Sequence, residues 1–302
     1  MSPQPAPNGA RRNPRRGRKL GPISDAARPR HRQWLEQVRA AYHASDLTFR
    51  QLAELSHWPR SKISELLRAV GRYPRWEITR DLLVTLGWID HPLASMRRQW
   101  VLAAQEAHKR AAWITDCLDR AGDGLDSHHK PLDFTAFDDT HRAVYYAYAS
   151  VFLREGDKSK QAVHKALLLL LILWDEALCS ANLEQYAWDL LRQTVMEKTP
   201  HTDGHPALME SAFDTRALRA AVDPHAQITE TLALFDALRR LAPAQLDVMV
   251  LRYLRGLSED GVAHTLGLPL AAVRAAERHA KRHISAHLRT TNEEGHRGDL
   301  TP

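Results

Sequence analysis

Leu238-Arg-Arg-Leu-Ala-Pro-Ala-Gln-Leu-Asp-Val-Met-Val-Leu-Arg-Tyr-Leu-Arg-Gly-Leu-Ser-Glu-Asp-Gly-Val-Ala-His-Thr-Leu-Gly-Leu-Pro-Leu-Ala-Ala-Val-Arg-Ala-Ala-Glu-Arg-His-Ala-Lys-Arg-His283 separates by periodicity and punctuation into three helical segments. Pro243 stands where the first opens, a position at which its missing amide hydrogen costs nothing. Leu246, Met249, Val250, Tyr253 and Leu254 then recur at helical spacing until Gly256 stops the segment. Ser258 caps a second segment that turns Val262 and Ala263 inward. Gly267 supplies the turn, where a residue without a β-carbon adopts positive φ, and Leu268 plugs the corner. The third segment starts near Pro269, buries Val273 and turns Arg274, Arg278, Lys281 and Arg282 outward.

The spacing is restrictive. A small residue must sit where the helices touch (Ala263), a glycine four residues on (Gly267) and a β-branched residue six further (Val273), or the two helices cannot cross closely. That is the pattern of a helix-turn-helix, and the basic outer face of its second helix suits a nucleic-acid groove. The candidate DNA-contacting residues here are Ala271, Arg274, Arg278, Lys281 and Arg282.

This stretch resembles region 4 of the sigma-70 family, in particular its extracytoplasmic-function branch, through Leu238, Leu241, Pro243, Val248, Leu251, Arg252, Tyr253, Leu254, Gly256, Leu257 and Ser258. The resemblance covers about 45 residues and implies contact with promoter DNA.

Around this segment the chain of 302 residues is long enough for two or three small domains, each with its own core. Leu and Ala dominate and no alternating apolar run is present, so the expected fold class is all-α, several small helical domains with two helix-turn-helix units among them. The formal net charge of +6, carried mostly by arginine, favours polyanionic partners such as double-stranded DNA. Cys117 and Cys179 lack metal-type spacing and read as reduced core residues of a cytoplasmic protein. The apolar run from Ala166 to Trp174 is too short to span a bilayer and reads as a buried helix, so no membrane role is expected. The pairs Arg11-Arg12 and Arg15-Arg16 are not followed by the apolar segment of an export leader.

In chain order, residues 1–30 carry six prolines, seven arginines and one acid, Asp25, a composition expected to stay disordered and able to track phosphates. Residues 31–120 form a second globular unit. Trp34, Leu35, Val38 and Tyr42 mark one helix; Thr48 precedes a second with Phe49, Leu52, Ala53 and Leu55 on its inner side; and Arg60 to Arg68 form a third with Ile63, Leu66 and Leu67 inward. Ala53 and Ile63 stand ten apart, as Ala263 and Val273 do. The unit resembles the repressor-type (xenobiotic-response-element) helix-turn-helix family through Thr48, Gln51, Leu52, Ala53, Ser61, Ile63 and Ser64, with His57 where that family usually has glycine. Arg60, Ser61, Lys62, Ser64 and Arg68 are its candidate DNA-binding residues. A long helical pattern over 91–120 extends this unit, and Trp100 and Trp113 need cover, which core packing explains more readily than pairing with a second copy in a homodimer.

A linker is expected at 121–133, then a helical domain over 134–200 that resembles sigma region 2, the part that grips core RNA polymerase. Where that family carries an acidic cluster this chain has Lys158, Lys160 and Lys165, charges that would repel rather than attract the same surface. A second linker, 201–227, leads to the region 4-like domain at 228–289, followed by a disordered tail, 290–302.

No phosphate-binding glycine loop, nucleophile elbow, catalytic carboxylate pair or metal-type cysteine cluster is present, so an enzyme and a cofactor are not expected. His279, His283 and His287 lie four apart on one helical face, but Lys281 and Arg282 crowd them and a solvated basic face accounts for them without a metal. The expected function is that of a bacterial sequence-specific transcription regulator, sigma-factor-like, with two DNA-reading heads. The alternatives are a working sigma factor that recruits RNA polymerase core, and a protein-interaction adaptor in which the helix-turn-helix units have become docking surfaces.

Overall fold

The computed structural model describes residues 20–124, 129–154, 156–209 and 224–298. Among the described residues the fold is all-α apart from one hairpin of two-residue strands, and the chain divides after Lys109 into two compact units.

The first unit contains α1 (Pro29–Ala44), α2 (Phe49–Leu55), α3 (Arg60–Arg68), α4 (Trp76–Thr85) and α5 (Asp90–Glu106). Thr48 and Gln51 form a capping box that starts α2, each side chain satisfying an amide the helix leaves unpaired. The core is aromatic: Trp34, Trp76 and Trp100 are fully buried, with Tyr73 between them. Their polar atoms are satisfied in a chain, Trp34 Nε1 donating to Tyr73 Oη (3.2 Å), Tyr73 Oη to the Trp100 carbonyl (2.8 Å), and Trp100 Nε1 to the Pro74 carbonyl (3.1 Å). Trp100 is therefore covered from within by core packing.

Three expectations change here. Residues 20–28 are placed against the unit, with the Ser24 amide donating to the Arg68 carbonyl and Arg39 Nη1 to the Gly21 carbonyl; residues 1–19 lie outside the described residues. Leu55, expected on the inner side of α2, is 59% exposed. The long 91–120 pattern is two helices, broken at His108 with φ of 54°, and its second part packs in the other unit.

That second unit begins with α6 (Ala111–Arg120), α7 (Leu132–Leu153), α8 (Asp157–Ile172), α9 (Trp174–Leu178) and α10 (Leu183–Met196). Helix α8 is the centre: α6, α7 and α10 pack around it, and Ala166 to Ile172 are buried without a break, because a helix apolar on all sides must be surrounded. The Glu197 carboxylate caps α6 by accepting from the Ala111 and Ala112 amides (2.9 and 3.1 Å). Lys165 is buried and pairs with Asp116, so only Lys158 and Lys160 of the three expected lysines reach the surface of α8. Cys117 is buried, whereas Cys179, expected in the core, is exposed.

The expected second linker holds the hairpin β1 (His201–Thr202) and β2 (His205–Pro206); residues 210–223 lie outside the described residues. The unit continues with α11 (Pro224–Arg239), α12 (Pro243–Met249) running into a π-helical turn over Val250–Leu254, α13 (Glu259–Leu266) and α14 (Leu270–Gly298). The tail expected to be disordered from 290 is helical to Gly298, and 299–302 lie outside the described residues. Helices α12 to α14 do not form a separate domain: α13 packs on α10, and the carboxylate of α12 at Asp247 is buried among side chains of α7 and α10.

Candidate nucleic-acid interface

Pro243 is the first-turn proline of α12, and Ser258 Oγ caps α13 by accepting from the Gly261 amide at 3.0 Å. Gly267 closes α13 at φ 63°, ψ 32°, the left-handed conformation its place in the turn required. Val262 and Val273 are fully shielded, while Ala263 is only half-buried. Tyr253, expected inside, is 51% exposed.

On α14 the residues Ala271, Arg274, Arg278, Lys281 and Arg282 are all exposed, the first four at alternating spacings of three and four that keep them along one side of the helix, with Arg282 four beyond Arg278. They are not electrostatically equivalent. Arg274 Nε donates to Glu259 Oε2 of α13 at 2.8 Å, and Lys281 Nζ lies 2.7 Å from Glu277 Oε1. Glu277 also accepts from Tyr253 Oη at 2.5 Å and faces Arg252 at 3.7 Å, while Arg252 reaches Glu259 at 3.7 Å. The Lys281 ammonium stands 5.2 Å from the centre of the Tyr253 ring. Arg252, Glu259, Arg274, Tyr253, Glu277 and Lys281 thus join the π-helical turn after α12 with α13 and α14 in one polar network.

Its charges shift accordingly. Hydrogen bonds from Lys281 and Tyr253 hold Glu277 below the usual carboxylate range, the hydrogen bond to Glu277 holds Lys281 up, and that to Glu259 holds Arg274 up. Arg282 approaches His279 Nδ1 at 3.1 Å. Of the three histidines on α14, His287 places its Nε2 3.0 Å from Asp236, and no group of three potential metal ligands gathers among the described residues.

In the first unit the turn between α2 and α3 shares one backbone feature with that between α13 and α14. His57 takes φ of 57°, close to that of Gly267 at the corresponding place, so the turn is kept despite the missing glycine. Ile63, Leu66 and Leu67 are buried. Arg60, Ser61, Lys62 and Arg68 are exposed and Ser64 is half-buried. Lys62 pairs with Glu65 at 2.8 Å.

The sequence reading missed the acidic partners Glu259 and Glu277 and the inward role of Asp247. Arg274 and Glu259 stand fifteen residues apart on different helices, so no helical spacing links them. Asp247 alone on the inner side of α12 was the one available sign: a charge among Leu246, Val248 and Val250 calls for partners.

Residues 237–286 match the family described as Sigma-70, region 4. The matched segment runs from the end of α11 into α14 and contains the whole three-helix network. The match supports a sigma-70 region 4 in this part of the chain and is consistent with DNA-binding transcription regulation. No curated protein matches the chain. Among the described residues no helix is long and apolar enough to cross a membrane.

Proposed function

We propose that this chain is a bacterial, cytoplasmic, sequence-specific DNA-binding transcription regulator whose reading head is the helix-turn-helix of α13 and α14, with a second, repressor-type head formed by α2 and α3. The observation that carries the reading is the coincidence of the region 4 match with an exposed basic row on α14. Helix α14 would enter the major groove, Ala271 and Arg274 near its N-terminus facing base edges and Arg278, Lys281 and Arg282 fixing register on phosphates. Arg60, Ser61, Lys62, Ser64 and Arg68 would act likewise on α3. The role is binding rather than catalysis, and no cofactor is invoked.

A second reading, a working sigma factor bound to core RNA polymerase, gains from one observation. Lys165 is spent on Asp116, so the charge opposing the docking surface is smaller than the sequence implied. Size-exclusion chromatography of the full chain with purified core polymerase, beside gel shifts on a genomic promoter library, tests both. DNA shifts without core binding favour the regulator, core binding with transcript initiation favours the sigma factor, and neither sinks both and leaves the adaptor.

A further inference from the structure

Asp247 belongs by sequence to the region 4-like segment, yet its side-chain donors come from the helical domain. It is 3% exposed. Its Oδ1 accepts from Tyr148 Oη of α7 at 2.7 Å, and its Oδ2 from Trp188 Nε1 (3.1 Å) and Arg192 Nε (2.9 Å) of α10. A buried carboxylate is tolerated only when its lone pairs are taken up, and here three directional donors take them. These directional bonds add orientational specificity to the apolar packing between the two helical bodies.

Three further contacts lie along the same seam. Arg255 Nη2 donates to Ser150 Oγ of α7 at 2.7 Å. The His264 ring of α13 stacks on His141 of α7 with centroids 5.2 Å apart. Asn182 Nδ2 at the start of α10 donates to the Gly267 carbonyl at 3.2 Å. Gly267 is fitted to this seat as well as to its turn: a Cβ there would come within 2.3 Å of Asn182 Oδ1 and 2.5 Å of the Gln185 amide nitrogen. Asp247, Arg255, His264 and Gly267 are all within the matched segment. None of them is among the exposed residues of α14 proposed to meet DNA, so the seat leaves that face open.

We infer that α7 and α10 form an internal latch that holds the C-terminal helix-turn-helix, through Asp247, as one body with the helical domain. The two sigma-like parts of this chain therefore act in the latched state as a single reading unit of fixed geometry, not as two modules that separate to reach separate DNA elements. Only the statement about DNA rests on the proposed function; the latch itself is a property of the free chain.

Hydrogen–deuterium exchange of the full chain without DNA, with small-angle scattering, tests it. Two variants are compared with the unaltered chain: Asp247→Asn, which removes the charge, and Arg192→Met, which alters the helical domain and leaves every residue of the head in place. The latch predicts that in both variants amides of 243–254 and of 183–196 exchange at least several-fold faster together. Those of α8 should stay protected, and the radius of gyration should rise. Unchanged exchange across both segments in Arg192→Met, or faster exchange in 183–196 alone, overturns the inference. Retained α8 protection in either variant excludes general unfolding, and neither readout depends on whether DNA is bound.

Discussion

Arg274 at the start of α14 is held by Glu259 of α13, Nε to Oε2, at 2.8 Å. On the proposed function, the side chain placed to meet a base is thus already paired across the helix-turn-helix through its Nε, and a base or phosphate contact would be made beside the carboxylate or in its place. In the free chain the pair presets the arginine's direction; in the proposed complex Glu259 would add a negative charge near the phosphates.

Glu259→Gln should therefore raise affinity for a bound DNA fragment by a few-fold, the modest scale of a solvent-exposed ion pair. Arg274→Ala should cost about 1–3 kcal/mol if a base contact is lost. Fluorescence-anisotropy titrations at one fixed salt concentration read both. Weaker binding in Glu259→Gln would mean that the pair's ordering of Arg274 outweighs the repulsion.

Arg278 and Arg282 are exposed on the same side of α14. If they meet phosphates, each alanine substitution should weaken binding evenly across sequences and lower the slope of log K against log salt by about 1. A sequence-dependent loss with an unchanged slope would reassign them to base edges.

His57 at φ of 57° carries the strain that a glycine would avoid. A non-glycine residue there costs on the order of 1–2 kcal/mol, and β-branching adds to it. His57→Gly should leave the first unit equally stable or stabilise it by up to ~1 kcal/mol, while His57→Val should destabilise it by about 1–2 kcal/mol. Thermal unfolding followed by circular dichroism checks the order; equal melting for the two variants would contradict the turn geometry.

His31 is buried against Trp34 and Tyr73, with ring centroids 5.1 and 4.8 Å away, and burial lowers its pKa from 6.5 to about 4. Between those values the unfolded chain binds more protons than the folded one, so stability rises with pH. The contribution is complete above pH 6.5 and is lost as pH falls towards 4. Urea unfolding at several pH values should give a flatter profile for His31→Phe than for the unaltered chain; parallel profiles would place the proton elsewhere.

The amino-acid sequence alone determined the elements whose cause is local. Pro243, Ser258 and Gly267 fixed the boundaries of α12 and α13, the Thr48 and Gln51 box fixed α2, and the unbroken apolar run at 166–174 identified α8 as the buried helix. Each depends on backbone conformation or on a few neighbouring residues, so its signal stands in one short window. Tertiary structure decided what depends on distant partners. Leu55 and Tyr253 have apolar spacing but lack a surface to cover them, Lys165 turns inward because Asp116 receives it, and Arg274 and Lys281 are divided from Arg278 by the placement of Glu259 and Glu277. The boundary between the helical domain and the C-terminal head followed the same rule. The head's motif is legible residue by residue, but a buried charge is satisfied by whatever the fold brings to it, and for Asp247 those donors lie 55 to 99 residues away.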